Sequence, residues 1–437
     1  MRAPIDTGFV MKSTSMRNFT ICLVLGVSST FVAEAASVDP EVFKARRQAL
    51  LEMLDGRVAV LYGAEGRTGG VVEELFIQES SFYYLTGVSE PGAALILAPE
   101  ENQYKEILYL QPRDPDVENW NGRREGLGYA LEAATGFPEV RRIGRLGSDL
   151  TDIMQRSRKA AFLGPIVGAT SPKPHALVIL QDGQSRVPGT SLENMADLIP
   201  EMRRVKNAYE IERIQKAVDV TGKGLMAAMQ AVRPGLQEFQ LQSIVDHTYE
   251  MEGAQFLGFS TILAWGPNTT VLHYTKNDQV IQDSGLVLID TGAAWEHYSA
   301  DVTRTMPVTG RFSDREKELY ELVLKASDAA IRKVRVGADN HNDVHMTAKN
   351  ILDEAGYGEY FIHSTGHFLG LDVHDAGNYD LPLRAGVVVT VEPGIYIPEE
   401  GIGIRIEDVV LVTKDGPVVL SRHIPRTVAE IEKAMEK

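Results

Sequence analysis

Apolar residues fall into two regimes along this chain. Between residues 41 and about 200 they come in short runs broken by turn residues. Residues 42–54 have helical spacing, Val58-Ala59-Val60-Leu61-Tyr62 and Ala93-Ala94-Leu95-Ile96-Leu97 read as strands, and Glu90-Pro91-Gly92 and Gln111-Pro112-Arg113 read as turns. That mixture predicts an α/β domain of roughly 160 residues. Beyond Arg203 the periods lengthen. Asn207 and Glu210 have the form of a capping box, with Asn in place of the usual Ser or Thr, and Ile211, Ile214, Val218, Leu225, Met229 and Val232 follow at helical spacing until Arg233-Pro234-Gly235 stops the pattern.

The rest of the chain reads as two similar passes. The first has helices over 207–232 and 236–252, then strands over 286–291 and 300–308; the second has helices over 314–334 and 341–355, the former opened by a Ser313/Glu316 capping box, then strands over 387–392 and 403–412. This is a repeat of pattern without obvious sequence identity, and it places a pair of acids in each terminal hairpin: Asp290 and Asp301, then Glu392 and Glu407.

Those acids occupy poor places for solvated charge. Asp290 ends Leu286-Val287-Leu288-Ile289, Glu392 ends Val387-Val388-Val389-Thr390-Val391, and Glu407 sits within Ile404-Arg405-Ile406-Glu407-Asp408-Val409-Val410. Apolar runs of this kind are usually buried strands. Singly, each acid has an ordinary explanation: a turn-former at a strand end, or a cross-strand ion pair such as Glu407 with Arg405. Together they do not. Four carboxylates within about 4–6 Å repel pairwise by on the order of 4 kcal/mol at an effective dielectric near 20, and protonation or metal binding must relieve that. Two divalent cations would offset the four charges and leave a bridging water as nucleophile. A nitrogen ligand is available in His367, within Ile362-His363-Ser364-Thr365-Gly366-His367-Phe368-Leu369-Gly370-Leu371-Asp372-Val373-His374-Asp375, a run that holds three of the ten histidines. One nitrogen among oxygen donors suits manganese, cobalt or iron, with zinc as a further possibility.

Composition narrows the class. With 44% hydrophobic and 24% charged residues over 437 positions, the chain reads as a globular protein of two domains. A net charge of −16 argues against a nucleic-acid-binding surface. Residues 1–35 read as a signal peptide: Arg17 precedes an apolar stretch from Phe19 to Val32, too short for stable membrane insertion, and Ala33-Glu34-Ala35 offers a cleavage site before Ala36, with translation starting at Met1, Met11 or Met16. The single cysteine, Cys22, falls inside that stretch, so the mature chain would have neither a disulfide nor a thiol nucleophile. A periplasmic or secreted protein is expected.

Five segments carry a resemblance: Ile289-Asp290-Thr291-Gly292-Ala293, Tyr298-Ser299-Ala300-Asp301-Val302-Thr303-Arg304-Thr305, the His363–Asp375 run, Val391-Glu392-Pro393-Gly394-Ile395-Tyr396, and Gly401-Ile402-Gly403-Ile404-Arg405-Ile406-Glu407-Asp408. They resemble the pita-bread metallopeptidases, in the branch that contains Xaa-Pro aminopeptidase and prolidase. Phe82-Tyr83-Tyr84-Leu85-Thr86-Gly87, Glu90-Pro91 and Trp120-Asn121-Gly122 are similar to the N-terminal domain of aminopeptidase P. The resemblance implies an α/β (α+β) chain: a creatinase-like domain over 38–203 and a pita-bread catalytic domain with a pseudo-twofold repeat over 204–437.

By the same resemblance, Asp290 and Asp301 hold one metal and His367 the other. Asp301, Glu392 and Glu407 are shared, and Glu392 also helps to deprotonate the water. His273 and His374 lie at the scissile carbonyl, His363 and Tyr396 line the proline pocket, and Arg405 supports Glu407. The implied reaction removes the N-terminal residue from peptides with proline second, and the implied assembly is a dimer or tetramer. Prolidase activity on Xaa-Pro dipeptides is the nearest alternative. Metal-free creatinase-type hydrolysis and a non-catalytic binding module conflict with the intact ligand set. The loops between His374 and Glu392 and between Tyr396 and Glu407 are short, which leaves the physiological peptide open.

Overall fold

The computed structural model describes residues 39–66 and 76–436; residues 1–35, expected to be a signal peptide, lie outside them with Cys22. Asp39 caps the opening helix, Pro40–Met53, by accepting the Glu41 N–H at 3.0 Å. A six-stranded sheet follows. In spatial order it runs Val140–Arg142, Glu106–Leu110, Ala94–Leu97, Val58–Tyr62, Lys159–Phe162, Ser191–Asn194. The pairings of Ala94–Leu97 with its two neighbours are antiparallel and the others parallel. Val58, Val60, Ile96 and Tyr109 pack against Leu150, Ile153 and Met154 of the helix Leu146–Ser157 and Leu180 of His175–Arg186, which makes the core of this half.

The second half opens where the capping box predicts: Asn207 accepts from the Glu210 N–H, and the helix runs Ala208–Ala231. Glu238–Met251, capped by Gln237 and Gln240, follows. The second pass starts with Asp314–Ile331, capped by Ser313 and Glu316. The predicted helix over 341–355 is shorter, Met346–Glu354, because residues Asn340–His345 take a wider π turn first. Arg46 joins the halves. Its guanidinium donates to Tyr298 Oη at 3.2 Å and lies 3.3 Å from the Glu210 carboxylate.

The hairpins differ from expectation in one respect that shapes the site: each is broken midway. Leu286–Thr291 pairs antiparallel with Val302–Pro307, and beyond the break Ala293–Trp295 pairs with Tyr298–Ser299. Likewise Val388–Val391 pairs with Asp408–Thr413, and Gly394–Ile397 with Ile402–Arg405. The single strands predicted over 300–308 and 403–412 therefore begin late or split. Gly292 enforces the first break, since a Cβ there would meet the Ala300 carbonyl oxygen at 1.8 Å. Pro393 occupies the corresponding place in the second, where it has no N–H to give a ladder.

Candidate metal and peptidase site

The breaks put the acids in place. Asp301 directly precedes Val302–Pro307, Glu407 directly precedes Asp408–Thr413, Glu392 directly follows Val388–Val391, and Asp290 lies one residue from the end of Leu286–Thr291. A chain that leaves its ladder at these points frees its carboxylates to converge between the hairpins. His367 joins them through the loop before it. Gly366 lies so close to the Thr390 carbonyl oxygen that a Cβ would stand 2.0 Å away, the His367 N–H donates to Thr390 Oγ1 at 3.1 Å, and the Thr390 N–H donates to the His367 carbonyl at 2.9 Å. The imidazole Nδ1–H donates to the Phe368 carbonyl at 3.0 Å, which leaves Nε2 with its lone pair 3.3 Å from Asp301 Oδ2 and 3.5 Å from Glu392 Oε1. One donor atom each of Asp301, His367 and Glu407 lies within 4.8 Å of the others.

The electrostatics are those of a site short of positive charge. Asp290, Asp301 and Glu407 are buried, and among the described residues Asp290 Oδ1, Asp301 Oδ1 and Glu407 Oε1 have no hydrogen-bond partner. Burial first, then Glu407, Asp290 and Glu392, pushes Asp301 well above the usual carboxylate range. Burial, then Glu392 and Asp290, does the same to Glu407. Glu392 is pushed up to about 7, by burial against the opposing pull of Arg405. His367 is held down to about 4 by burial and by His374, so its ring is neutral and able to coordinate. Orphaned carboxylate oxygens beside a neutral imidazole form a donor set that fits a divalent cation.

Arg405 reaches more partners than Glu407 alone. Its Nη2 donates to Asp290 at 2.6 Å, Nη1 to Tyr396 Oη at 3.0 Å and Nε to Thr303 Oγ1 at 3.0 Å; Thr303, donating to Glu407 Oε2 at 2.7 Å, relays it to Glu407, whose charge Arg405 also favours. Asp290 is thus the acid with a built-in cation. Thr303 and Thr390 are partners that the sequence did not single out; Thr390 donates to Glu392 Oε1 at 3.2 Å. Beside them, Tyr396 Oη lies 2.8 Å from His363 Nε2, which brings the two expected proline-pocket residues together. His374 stacks on His367 with ring centroids 3.8 Å apart. Both it and His273 are exposed at one edge; the burial His374 does have, and then the neighbouring His273, disfavour its protonation.

Comparisons with known proteins agree with this geometry. The model of metallopeptidase family M24 matches residues 212–414, and that of the aminopeptidase P N-terminal domain matches residues 43–162. The chain is 34% identical to Xaa-Pro aminopeptidase of Haemophilus influenzae, over 92% of this chain and 99% of that one. Over 239 residues the chain is 40% identical to Xaa-Pro dipeptidase of Pyrococcus horikoshii, 54% of this chain and 66% of the other. Zinc-substituted E. coli aminopeptidase P in complex with product superposes with a TM-score of 0.83 at 29% identity, covering 92% of this chain and 99% of that one.

Proposed function

Because the chain belongs to metallopeptidase family M24 and is a peptidase, we propose that it is a dinuclear Xaa-Pro aminopeptidase, releasing the N-terminal residue of peptides whose second residue is proline. The observation that carries this reading is the pair of buried oxygens on Asp301 and Glu407 that, among the described residues, have no partner, on carboxylates that cluster with His367 Nε2. Leaving such atoms buried without a counter-charge is costly. Asp290, Asp301, His367, Glu392 and Glu407 would hold two divalent ions, with manganese the first choice and cobalt, iron or zinc the others. When bound, such ions polarise a carbonyl and acidify water.

The protein's own groups do the rest. Glu392, already set near neutrality, accepts the proton of the attacking water. His374 and His273, at the solvent-facing side, hydrogen-bond the scissile carbonyl and stabilise the charge that develops there. His363 and Tyr396 form one wall of a slot for the proline ring, which lacks the N–H that ordinary peptidases bind. Arg405 orients Asp290 through its 2.6 Å charge-assisted hydrogen bond.

Dipeptidase activity is the second reading, favoured by the 40% identity over 239 residues to a dipeptidase. Matched Xaa-Pro and Xaa-Pro-Yaa substrates, offered to metal-stripped protein before and after manganese is restored, separate the two. Manganese-dependent release of Xaa from the tripeptide supports the aminopeptidase; cleavage of the dipeptide alone supports the dipeptidase. No cleavage with any divalent ion sinks both.

The domain division at residues 203–204, the dimer or tetramer and export through residues 1–35 belong to the same proposal. Among the described residues no helix is long and apolar enough to cross a membrane. N-terminal sequencing of the mature protein should begin at Ala36, and light scattering should give the mass of an oligomer; an intact N-terminus or a monomer would remove the corresponding part.

A further inference from the structure

Between His367 and His374 the chain turns back so that its ends meet. The Asp375 N–H donates to the Phe368 carbonyl at 2.9 Å, the Gly370 N–H to the Asp372 carbonyl at 3.1 Å, and the Ser299 N–H to the Gly370 carbonyl at 2.8 Å. Side chains hold this closure. Asp375, 2% exposed, takes Lys206 Nζ on Oδ2 at 2.8 Å and Arg203 Nη2 on Oδ1. Arg203 reaches further, to Asp372 Oδ2 at 2.6 Å and Ser81 Oγ at 3.1 Å, and Ser80 Oγ donates to Asp372 Oδ1 at 2.6 Å. A Cβ on Gly370 would stand 2.2 Å from Asp375 Oδ2, so the loop admits the carboxylate only because that position is glycine.

This cluster ties three parts of the chain together: the helix Ser80–Thr86 of the first half, the connection carrying Arg203 and Lys206, and the loop of the two histidines. Its two cations and two carboxylates balance. Burial opposes ionisation of Asp375, but Lys206 and Arg203 outweigh it and hold the carboxyl below its ordinary range. A buried, balanced ion cluster adds little net stability over apolar packing; what it adds is a single arrangement of the backbone that it pins. Here that arrangement sets the imidazoles of His367 and His374 face to face, 18° from parallel.

We infer that Asp375 is a positioning residue: held by Arg203 and Lys206, it fixes the His374 ring against His367, and so makes the orientation of the carbonyl-side histidine depend on the junction between the two halves. The inference rests on the aminopeptidase reading for the role of His374, but not for its placement.

The test is made on the full, metal-loaded chain. Modification of each histidine by diethyl pyrocarbonate, read by mass spectrometry, reports ring accessibility without turnover, and His423, 45% exposed, serves as internal reference. Asp375→Asn should raise the His374 rate several-fold and leave His423 unchanged. It should also lower kcat on an Xaa-Pro-Yaa peptide by about 100-fold, yet add nothing in a His374→Ala background, because the lost positioning acts through that ring alone. Lys206→Met, which keeps the Arg203 contact, should shift both readouts in the same direction by less, and it decides the matter if Asp375→Asn does not fold. Unchanged His374 labelling in the folded variants, or losses of activity that add fully to that of His374→Ala, would overturn the inference. A wild-type chain that cleaves no Xaa-Pro peptide would overturn the aminopeptidase reading instead, with the labelling comparison still deciding the positioning.

Discussion

Glu407 and Asp408 are neighbours in sequence, both fully buried, and they live in opposite electrostatic worlds. Asp408 receives Arg304 Nη2 at 2.8 Å and Ser421 Oγ at 2.6 Å, with Arg426 Nε a further 2.9 Å ion-pair contact outside hydrogen-bond alignment. Burial disfavours its charge, but the two arginines hold its carboxyl below the usual range. Glu407, one residue earlier, has Thr303 on one oxygen and, among the described residues, no hydrogen-bond partner on the other; burial, Glu392, Asp290 and Asp301 oppose its charge more than Arg405 favours it. A strand that sends successive side chains to opposite faces has placed a completed ion cluster on one side and an incomplete one on the other. The lesson is that burial alone does not mark a functional acid. The missing counter-charge does.

The sharpest way to break this contrast is to neutralise the acid taken as the base. Glu392→Gln should lower kcat by about 100- to 10 000-fold, with the melting temperature of the metal-free protein no lower than wild type; steady-state kinetics and calorimetry read both, and a kcat within a few-fold of wild type removes Glu392 from the chemistry. Next comes the adjacent pair itself. In metal-free protein Asp408→Asn should cost about 3–5 kcal/mol, since it leaves the buried Arg304 without its carboxylate partner, whereas Glu407→Gln should be neutral or stabilising by relieving repulsion. Equal losses in denaturant titrations would show the two environments to be alike.

The same contrast gives a sign to the pH dependence. Asp301, Glu392 and Glu407 have folded-state values above their ordinary ones, so the folded metal-free protein binds more protons than the unfolded chain. The stability this supplies is fully present below the ordinary carboxylate value of 4.5 and is lost as pH rises through the folded value, which for Glu392 is about 7. Metal-free protein should therefore weaken from about pH 4.5 to 7 in thermal melts, and a saturating divalent cation should remove that slope. At 100 times its dissociation constant the cation should add about 2.7 kcal/mol. The smallest effect is expected from Tyr396→Phe, which deletes hydroxyl contacts to His363 and Arg405. A loss of about 0.5–1.5 kcal/mol, seen mainly in KM for the proline substrate, is the expected size, and no change in either parameter would take Tyr396 out of the pocket.

The sequence showed the acids readily, because a charge at the end of Leu286-Val287-Leu288-Ile289 or inside Ile404–Val410 contradicts its own surroundings. Helix starts at Asn207 and Ser313 were equally legible, since capping is local chemistry. What escaped notice was relational. Thr303 and Thr390 look like any buried strand threonines until the register sets Thr303 opposite Asp290. Arg405 supports Glu407, two residues away, through Thr303, but its guanidinium also crosses to Asp290, a partner 115 positions distant that no local pattern reveals. The breaks at Gly292 and Pro393 had a signal in the residue types themselves, which the apolar runs on either side concealed.

The most direct test of the central claim is a calorimetric titration of metal-stripped protein with manganese near neutral pH, repeated in buffers of different ionisation enthalpy. The account predicts saturable binding of two ions per chain with release of protons, because burial and mutual repulsion raise the proton affinity of carboxylates that must ionise to bind. It further predicts that cleavage of an Xaa-Pro-Yaa peptide returns along the same isotherm. Absence of saturable binding, or full peptidase activity in the stripped protein, would contradict it.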